Sequence, residues 1–411
     1  MRTDVIVVGA GPAGLAAAAA LAEAGRDVRV IARGNGFTHW GPGAVDVLAR
    51  AGGEQVDRPL GGVARLPERH PYRLLGEEVM RRGIDRFQRF VAAAGLAYEG
   101  TLDGNRQQVT AIGTLRPTCL VPAPAAGRLA DRVAVVGFAG FRDFSPTLCA
   151  RELRDAGQQT SVHTVELPTW NHERNFTAVD LARAIDDPGF RGRLADGLGR
   201  ASRDAEVAVV PAVLGLATRH EAWADLEHRA GAALVEAALA PPSIPGIRLY
   251  ALWLARLREL GVRVQLGFPV TGVEVADGAV TAVVSEGASR PIVTRCNEVV
   301  LATGGVVGRG IEARRDGSLV ETVAGLPVRG FADRVEYLAD RFLDDHPLGA
   351  AGIVVDDELR PLDAAGEPAL RGLRCVGSLL ADHDPTAEGS REGVALATAA
   401  RAAERLAAAP V

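Results

Sequence analysis

The spacing of hydrophobic positions near the amino terminus changes twice within thirty residues. Residues 5–8 form a continuous apolar run, which is typical of a parallel strand buried on both faces. A stretch rich in alanine and leucine follows and stops at Gly25, as in a helix that packs on a sheet and ends at a glycine. Residues 28–31 return to the apolar pattern of a strand. The pattern therefore predicts a strand, a helix and a second strand over residues 4–33.

Further apolar patterns divide the rest of the chain into elements. Residues 83–94 and 145–156 have helical spacing. Between residues 245 and 260 the apolar side chains, Tyr250 and Trp253 among them, fall on one face of a helix. Alternating positions on both sides of a turn at Asp277 and Gly278 predict a hairpin. The remaining predictions are a buried strand, a short strand and a final helix that opens at glycines, over residues 298–308, 372–380 and 388–406.

Three glycines separate the first predicted strand from its helix. Gly9, Gly11 and Gly14 have the spacing of a dinucleotide-binding turn. The first glycine permits a tight turn, the second lets the backbone approach a pyrophosphate, and the third lets the helix pack closely on the strand. Pro12 and Ala13 open the helix, whose N-terminus would face the phosphates. Because the glycines lie between a strand and a helix, the sequence predicts a nucleotide or flavin site.

The acidic residue that usually binds the ribose in such a site is missing. It is expected at the end of the second strand, where this chain has Ala32 followed by Arg33 and Gly34. The Arg33 guanidinium could face a phosphate instead. The residues therefore leave three cofactors open: FAD held without the ribose carboxylate, FMN, or NADP through its 2′-phosphate.

Composition narrows the possible chemistry. The chain of 411 residues contains no lysine, and its 46 basic residues are all arginine. Schiff-base and pyridoxal phosphate enzymes, Walker-A nucleotidases and protein kinases each need a lysine and are excluded. Anions must therefore be bound by guanidinium groups, backbone N–H groups or helix N-termini.

Charge and cysteine content exclude further classes. The net charge of −5 and the lack of a basic cluster argue against nucleic acid as a partner. The four cysteines lie far apart, so we expect no iron–sulfur cluster, no zinc site and no metal, and they are typical of a reducing compartment. Neither a signal peptide nor an apolar run of membrane-spanning length is present. We therefore expect a cytoplasmic protein that reaches the inner face of the membrane only through a partner.

The order of the motifs resembles that of glutathione-reductase-like and succinate-dehydrogenase-like flavoproteins. These proteins also combine an initial dinucleotide turn, an Ala-Thr-Gly strand end (here 302–304) and a final strand with a glycine-started helix. The resemblance implies an α/β fold: a Rossmann-like flavin-binding domain of glutathione-reductase type, assembled from discontinuous segments, with an inserted α+β cap or substrate domain. It places the flavin domain at residues 1–60, 241–310 and 350–411, and the cap at 61–240 and 311–349.

A narrower resemblance spans nearly the full length. Segments similar to the B-subunit family of bacterial anaerobic glycerol-3-phosphate dehydrogenase occur in that family's order at residues 32–49, 113–118, 135–144, 241–249, 300–305, 352–363 and 383–399. Ala32 and Ser378 match this family, which tends to lack the acidic residue at both positions, whereas residues 389–393 carry fewer glycines than the family usually shows.

This second resemblance implies the reaction and the partners. The family oxidises sn-glycerol 3-phosphate, a small phosphorylated polyol, to dihydroxyacetone phosphate and passes the electrons to quinone. It implies a non-covalent flavin, FAD or FMN, in this chain. It also implies two partners, a second flavoprotein subunit and an iron–sulfur membrane-anchor subunit.

Oxidation of a secondary alcohol by a flavin also needs a base for the hydroxyl proton and, for a phosphate ester, cations. His39 lies in the glycine-rich loop after the second strand and is the candidate base or flavin contact. The candidate phosphate ligands are Arg116, Arg248, Arg329 and Arg391, because a guanidinium group binds phosphate through two donors.

The resemblance places the cofactor at the turns and helix N-termini of the flavin domain. In such folds the last helix directs its N-terminus at the flavin pyrimidine, where the helix dipole stabilises negative charge on the reduced ring. The predicted cofactor-binding residues are Gly9, Gly11, Pro12, Ala13, Gly14, Arg33, Gly34, His39, Trp40, Gly41, Val270, Ala302, Thr303, Gly304, Gly377, Ser378, Gly389, Ser390, Gly393 and Val394.

Three functions fit these expectations. The first is a glycerol-3-phosphate dehydrogenase subunit that itself oxidises the substrate. The second is an electron-transfer or assembly subunit that holds a flavin while its companion performs the oxidation. The third is an unrelated FAD-dependent oxidoreductase. Since the chain lacks cysteine clusters for iron–sulfur centres of its own, the first two require a partner.

Overall fold

The computed structural model describes residues 2–168, 176–217, 220–330 and 334–408. The chain forms two compact units. The first consists of Met1–Phe37, Val45–Gln88 and Leu252–Val411, and the second of Thr38–Ala44 and Arg89–Ala251. Each unit contains a sheet with parallel strands and accompanying helices, which confirms the predicted α/β class.

A seven-stranded sheet lies at the centre of the first unit. Its neighbouring strands follow the order Arg263–Leu266, Val28–Ala32, Thr3–Val8, Ile292–Leu301, Ala279–Ser285 and Val270–Ala276, and Leu373–Cys375 also pairs with Ile292–Leu301. Ala279–Ser285 pairs in antiparallel fashion with both of its neighbours, Ile292–Leu301 and Val270–Ala276, and all other pairs of this sheet are parallel. Residues 5–8 are almost completely buried, as expected for a continuous apolar run in a parallel sheet.

Two alanine-rich helices of the first unit pack against each other, Pro12–Glu23 and Arg391–Ala407. Their buried faces consist largely of alanine, and small side chains let helices approach closely. The other helices are Pro59–Gly62, Pro71–Leu75 and Glu77–Ala93, of which the last continues into the second unit. Short antiparallel pairs join Arg50–Ala51 with Glu54–Gln55, Ile311–Ala313 with Leu319–Glu321, and Val328–Arg329 with Gly352–Ile353.

The second unit contains a four-stranded parallel sheet. Its strand order is Gln159–Val165, Arg132–Phe138, Val207–Pro211 and Ala233–Ala237. The helices between these strands in the chain are Pro146–Asp155, Ala178–Ile185, Pro188–Ala201 and Glu221–Ala230. Two short antiparallel pairs join Tyr98–Glu99 with Val121–Pro122 and Arg106–Val109 with Leu115–Thr118. The main sheet of the inserted region is thus of the α/β kind, where we expected α+β.

Two helices run across the boundary between the units. Phe37–Trp40 begins in the first unit, and Ile244–Glu259 begins in the second. Residues 61–88 and 311–349 belong to the first unit, although we expected them in the cap, and Pro71–Leu75 packs on the C-terminal helix of that unit. Residues 38–44 and 241–251 conversely belong to the second unit. The assignment of cofactor and substrate to particular units stays a prediction.

Candidate functional site

The glycine turn after the first strand is closely packed in the first unit. Gly9 has a φ of +117°, and a Cβ on it would lie 2.3 Å from the carbonyl oxygen of Ala302. A Cβ on Gly14 would lie 2.1 Å from the carbonyl oxygen of Gly9. Both positions therefore require glycine, the first for its backbone conformation and both for the close approach of neighbouring backbone.

Gly11 differs from these two glycines. A Cβ on Gly11 would meet no described atom within 4 Å, so open space lies beside its backbone. The helix Pro12–Glu23 begins next to this space with no acidic residue in its first turn. Free N–H groups at a helix N-terminus attract anions, so this space fits the phosphates of a flavin nucleotide. Gly11, Pro12 and Ala13 would hold them through the backbone.

The second strand ends as the sequence predicted, without an acidic residue. Ala32 is buried, and Arg33 and Gly34 after it are exposed. The loop then turns back, since a Cβ on Gly36 would lie 2.4 Å from the backbone nitrogen of Gly11. Arg33 is thus the charged side chain that the second strand presents where a ribose carboxylate is usual.

Two further backbone turns meet this glycine turn at one edge of the sheet. Ala302 donates its N–H to the Val8 carbonyl oxygen over 2.8 Å. A Cβ on Gly305 would lie 2.6 Å from the carbonyl oxygen of Ser378, and one on Gly377 would lie 2.8 Å from the Ala13 side chain. The structure therefore brings the predicted residues of 9–14, 302–304 and 377–378 together.

Thr303, within this edge, has a buried hydroxyl with no hydrogen-bond partner among the described residues. Burying an unpaired hydroxyl costs free energy, so such an atom is a mark of a missing ligand. Gly304 follows with a φ of +77° and turns the chain away from the strand. This geometry fits a cofactor that accepts a hydrogen bond from Thr303.

Val270 begins the outermost antiparallel strand, Val270–Ala276, and pairs with Ser285 on the neighbouring strand. Two residues earlier, Phe268 donates its N–H to the Ala32 carbonyl oxygen over 3.1 Å. The loop before Val270 therefore lies against the end of the second strand, and the cofactor contact of Val270 stays a prediction.

The C-terminal helix begins directly after Ser390. Gly389 has a φ of +59°, and a Cβ on Gly393 would lie 2.1 Å from the Tyr72 hydroxyl. That hydroxyl donates to the Val47 carbonyl oxygen over 2.6 Å. Gly389 is therefore needed for the turn and Gly393 for close packing, while Val394 is fully buried. Gly393 and Val394, which were predicted as cofactor contacts, therefore face the protein interior.

A buried hydrogen-bonded chain fixes the loop before this helix. The Tyr72 N–H donates to Nδ1 of His70, so the ring proton of His70 is on Nε2, which donates to a Glu388 carboxylate oxygen over 3.1 Å. The Ser390 hydroxyl donates to the same oxygen over 2.8 Å. His383 then donates through Nε2 to the Ser390 oxygen over 2.9 Å.

The protonation states of Glu388 and His383 in this hydrogen-bonded network follow from burial and from neighbouring groups. Burial raises the pKa of Glu388, but the hydrogen bond from His70 and the nearby His383 outweigh it, and the net pKa lies below the ordinary value. Burial lowers the pKa of His383 to about 3. At neutral pH the loop therefore holds the Glu388 carboxylate and the neutral imidazole of His383 beside the start of the C-terminal helix.

The loop with His39, Trp40 and Gly41 belongs to the second unit. The His39 ring makes edge contacts with the rings of Trp40 and Tyr250, with centroid distances of 4.8 and 5.4 Å. Burial lowers the pKa of His39, so the ring is neutral at pH 7 and free to accept a proton. A Cβ on Gly246 would lie 2.3 Å from the Gly41 carbonyl oxygen, so the helix Ile244–Glu259 starts directly against this loop.

Arg248 has a different role from the predicted one. It is 8% exposed, and its guanidinium donates to both carboxylate oxygens of the fully buried Glu236, over 3.1 and 3.2 Å. It also donates to the carbonyl oxygen of Gly215. Most of its donors are thus used by the protein, so the structure does not support Arg248 as a phosphate ligand.

The other predicted phosphate ligands belong to different units. In the first unit, Arg329 is about half exposed and donates to Asp382 over 2.6 Å, and Arg391 donates to the Thr386 hydroxyl over 3.2 Å and lies over the Phe37 ring. In the second unit, Arg116 is part-buried and donates to Gln108 over 2.9 Å. An exposed ion pair contributes little and exchanges readily, and Arg116 and Arg391 bond to neutral groups, so all three arginines stay candidates.

Sequence reasoning missed several polar residues with unusual surroundings. Tyr250 was expected to serve only the apolar face of its helix, yet its buried hydroxyl has no hydrogen-bond partner among the described residues. The same is true of the Thr38 hydroxyl. The one available signal was the chemistry of tyrosine, whose hydroxyl needs a partner when an apolar face is buried.

The fold and the glycine turn define a nucleotide-binding flavoprotein, and comparisons with known proteins agree. Residues 4–394 match the family model described as FAD binding domain. Among solved structures, similarity extends to 3-ketosteroid delta1-dehydrogenase from Sterolibacterium denitrificans, with 14% identity, a TM-score of 0.47 and 99% of each chain covered. A flavocytochrome c3 fumarate reductase is similar with 11% identity and a TM-score of 0.45, over 99% of this chain and 78% of that chain.

Curated relatives narrow the class further. The chain is 32% identical to the anaerobic glycerol-3-phosphate dehydrogenase B-subunit of Yersinia pestis, over 99% of this chain and 98% of the relative. It is 34% identical to a probable B-subunit of the same enzyme from Halobacterium salinarum, over 97% of this chain and 96% of the relative. The chain belongs to the B-subunit family of anaerobic glycerol-3-phosphate dehydrogenase. It is a flavin-dependent oxidoreductase, and its flavin is bound non-covalently.

Proposed function

We propose that the chain is the flavin-bearing subunit of a quinone-linked dehydrogenase that oxidises sn-glycerol 3-phosphate to dihydroxyacetone phosphate. The similarity over nearly the full length to relatives named as the B-subunit of that enzyme carries the proposal. When bound, the flavin supplies a hydride acceptor. The chain itself must bind the flavin and the substrate and accept the proton of the oxidised hydroxyl.

The backbone turns of the first unit support the cofactor part of the proposal. Gly11, Pro12 and Ala13 would hold the phosphates at the start of the first helix, and Arg33 would add a positive charge. The buried Thr303 hydroxyl would donate to the cofactor. The start of the C-terminal helix at Ser390 would face the flavin ring system, as the resemblance implies.

His39 supports the catalytic part of the proposal. Its ring is neutral at pH 7 because burial lowers its pKa, so it can accept the substrate's hydroxyl proton while the hydride leaves the carbon that bears this hydroxyl. Its Nδ1 is buried and lacks a hydrogen-bond partner among the described residues. A nitrogen in this state is available to a substrate or a cofactor.

One observation favours the second function, in which the companion subunit oxidises the substrate. Arg248 is committed to Glu236, and Arg329 is paired with Asp382. Two of the four predicted phosphate ligands therefore already have anionic partners in this chain. Under this alternative the chain holds the flavin and passes electrons on, and the phosphate is bound by the partner.

An exposed apolar segment supports assembly with partner subunits. The side chains of Val335, Leu338, Phe342 and Leu343 are 81%, 63%, 89% and 90% exposed. Clustered apolar side chains in water are typical of protein interfaces. No helix in the described part of the chain has the length and apolar character needed to cross a bilayer. We propose that the segment contacts the second flavoprotein subunit or the iron–sulfur anchor, and that the complex lies on the cytoplasmic face of the membrane.

Replacing His39 by alanine should alter the absorption spectrum of the bound flavin, because the ring and its unpaired nitrogen would no longer contact the cofactor. The free energy of unfolding should change by less than about 1 kcal/mol, since the ring is only partly buried. Protonation of His39 at acidic pH should also change the wild-type spectrum, and because burial lowers the pKa of His39 this change should occur at a lower pH than for an ordinary imidazole. The alanine variant should lack this pH response.

The matched control is His163→Ala, which removes a part-exposed histidine from the strand Gln159–Val165. It should leave the flavin spectrum and its pH response unchanged. A flavin spectrum that is the same in the wild type and in the His39 variant would rule out His39 as a flavin contact.

A further inference from the structure

Three polar atoms of the second unit are buried without hydrogen-bond partners among the described residues: the Thr38 hydroxyl, Nδ1 of His39 and the Tyr250 hydroxyl. Thr38 is 7% exposed and Tyr250 is 3% exposed. Each such atom has lost its water without gaining a bond, which costs free energy. A fold retains such groups when a ligand supplies the missing partner.

A backbone contact places residues 38 and 39 against the start of the helix that carries Tyr250. Gly246 lies in the first turn of the helix Ile244–Glu259, and a Cβ there would be 2.7 Å from the Thr38 carbonyl oxygen and 3.0 Å from that of His39. Tyr250 follows Gly246 by four residues, so both lie on the same face of the helix. The ring of Tyr250 consequently meets the ring of His39 edge-on.

The chemistry of the group selects a neutral ligand. Hydroxyl groups of threonine and tyrosine both donate and accept hydrogen bonds. Burial lowers the pKa of His39 and raises that of Tyr250, so neither is charged at neutral pH. Two hydroxyls and a neutral imidazole complement a ligand group that both donates and accepts hydrogen bonds. They carry no positive charge that would bind a phosphate.

We propose that Thr38, His39 and Tyr250 form a binding cluster for a neutral group that both donates and accepts hydrogen bonds, namely a hydroxyl of a small polyol. The choice of a polyol rests on the proposed function. The polar edge of a flavin ring has the same donor and acceptor chemistry, and the experiment distinguishes the two sources.

The test uses the full flavin-loaded chain and the variants Tyr250→Phe and Thr38→Val, which remove one hydroxyl each and keep the shape. Binding of sn-glycerol 3-phosphate and of glycerol is measured by calorimetry, flavin binding by fluorescence, and stability by thermal unfolding without polyol. We expect either variant to be at least as stable as the wild type, because it removes an unpaired buried hydroxyl. We expect its affinity for both polyols to fall roughly tenfold.

The control is Tyr337→Phe, which removes a tyrosine hydroxyl that donates to the Gly317 carbonyl oxygen. This variant should lose stability and keep its affinity for polyols, the reverse of the result expected at Tyr250. The comparison of the two variants distinguishes a tyrosine hydroxyl that is hydrogen-bonded within the protein from one whose partner is supplied by a ligand.

Weaker polyol binding with unchanged flavin binding supports the polyol cluster. Weaker flavin binding with unchanged polyol binding supports a ligand cluster but assigns it to the flavin. If the wild type binds neither polyol while the variants weaken flavin binding, the cluster stands and the proposed substrate fails. Unchanged binding of both, or a loss of stability like that of Tyr337→Phe, overturns the cluster.

Discussion

Replacing Gly11 by alanine is expected to lower the affinity for flavin roughly 100-fold or more while leaving the protein folded. The added methyl group meets no described protein atom within 4 Å, and it fills the space beside the start of the first helix. Alanine is a poorer helix cap than glycine, so the free energy of unfolding should fall by no more than about 1 kcal/mol. Fluorescence titration with FAD and with FMN measures the affinity, and urea unfolding of the flavin-free chain measures the stability.

Substitutions at two other glycines serve as controls for this result. Gly14→Ala should destabilise the fold itself by about 3 kcal/mol or more, because its Cβ would lie 2.1 Å from the Gly9 carbonyl oxygen. Gly61→Ala should change neither property, since its Cβ would make only an ordinary contact with Arg58. Wild-type affinity for flavin in Gly11→Ala would show that the cofactor phosphates bind elsewhere.

Replacing Arg248 by alanine should lower the free energy of unfolding by about 3–5 kcal/mol. The change leaves the carboxylate of Glu236, which is fully buried, without its cationic partner. The Gly215 carbonyl oxygen also loses its donor. Chemical denaturation followed by circular dichroism measures the effect, and substrate affinity should change only as far as the fold does.

A double substitution tests whether the unpaired Glu236 carboxylate causes this loss of stability. Combining Arg248→Met with Glu236→Gln removes the charge and keeps a side-chain oxygen that can accept the Leu214 N–H. Most of the lost stability should return, because a buried pair replaced by neutral groups is often close to neutral in free energy. If Arg248→Ala were as stable as the wild type and specifically lost affinity for glycerol 3-phosphate, Arg248 would be a phosphate ligand after all.

The contrast between Gly14 and Arg248 shows how far the sequence predicts this protein. A glycine's role follows from local constraints, because its neighbours in the chain are also its neighbours in the turn. The pairing of Arg248 with Glu236 joins residues from a helix and a separate strand. Forty-six arginines and 51 acidic residues allow too many pairs for the sequence to select this one.

Tyr250 illustrates a second limit. Helical spacing correctly predicts that its side chain is buried, because periodicity reports which face of a helix meets the core. It does not report whether a hydroxyl on that face finds a partner, which depends on Thr38 and His39 more than two hundred residues earlier in the chain. The division of the chain into compact units also depends on contacts between distant residues. Residues 61–88 have no flavin motif of their own, yet they lie in the first unit, where the helix Pro71–Leu75 packs on the C-terminal helix.

Anaerobic titration of the flavin-loaded chain with sn-glycerol 3-phosphate tests the central claim most directly. If this chain oxidises the substrate as we propose, with its own flavin as hydride acceptor and His39 as base, the visible flavin absorbance should bleach upon addition of this substrate. Glycerol lacking the phosphate serves as the matched control and should bleach it far more slowly. Bleaching that occurs only after the partner subunits are added would assign the oxidation to the companion. A flavin that stays oxidised in the presence of both substrate and partners would contradict the account.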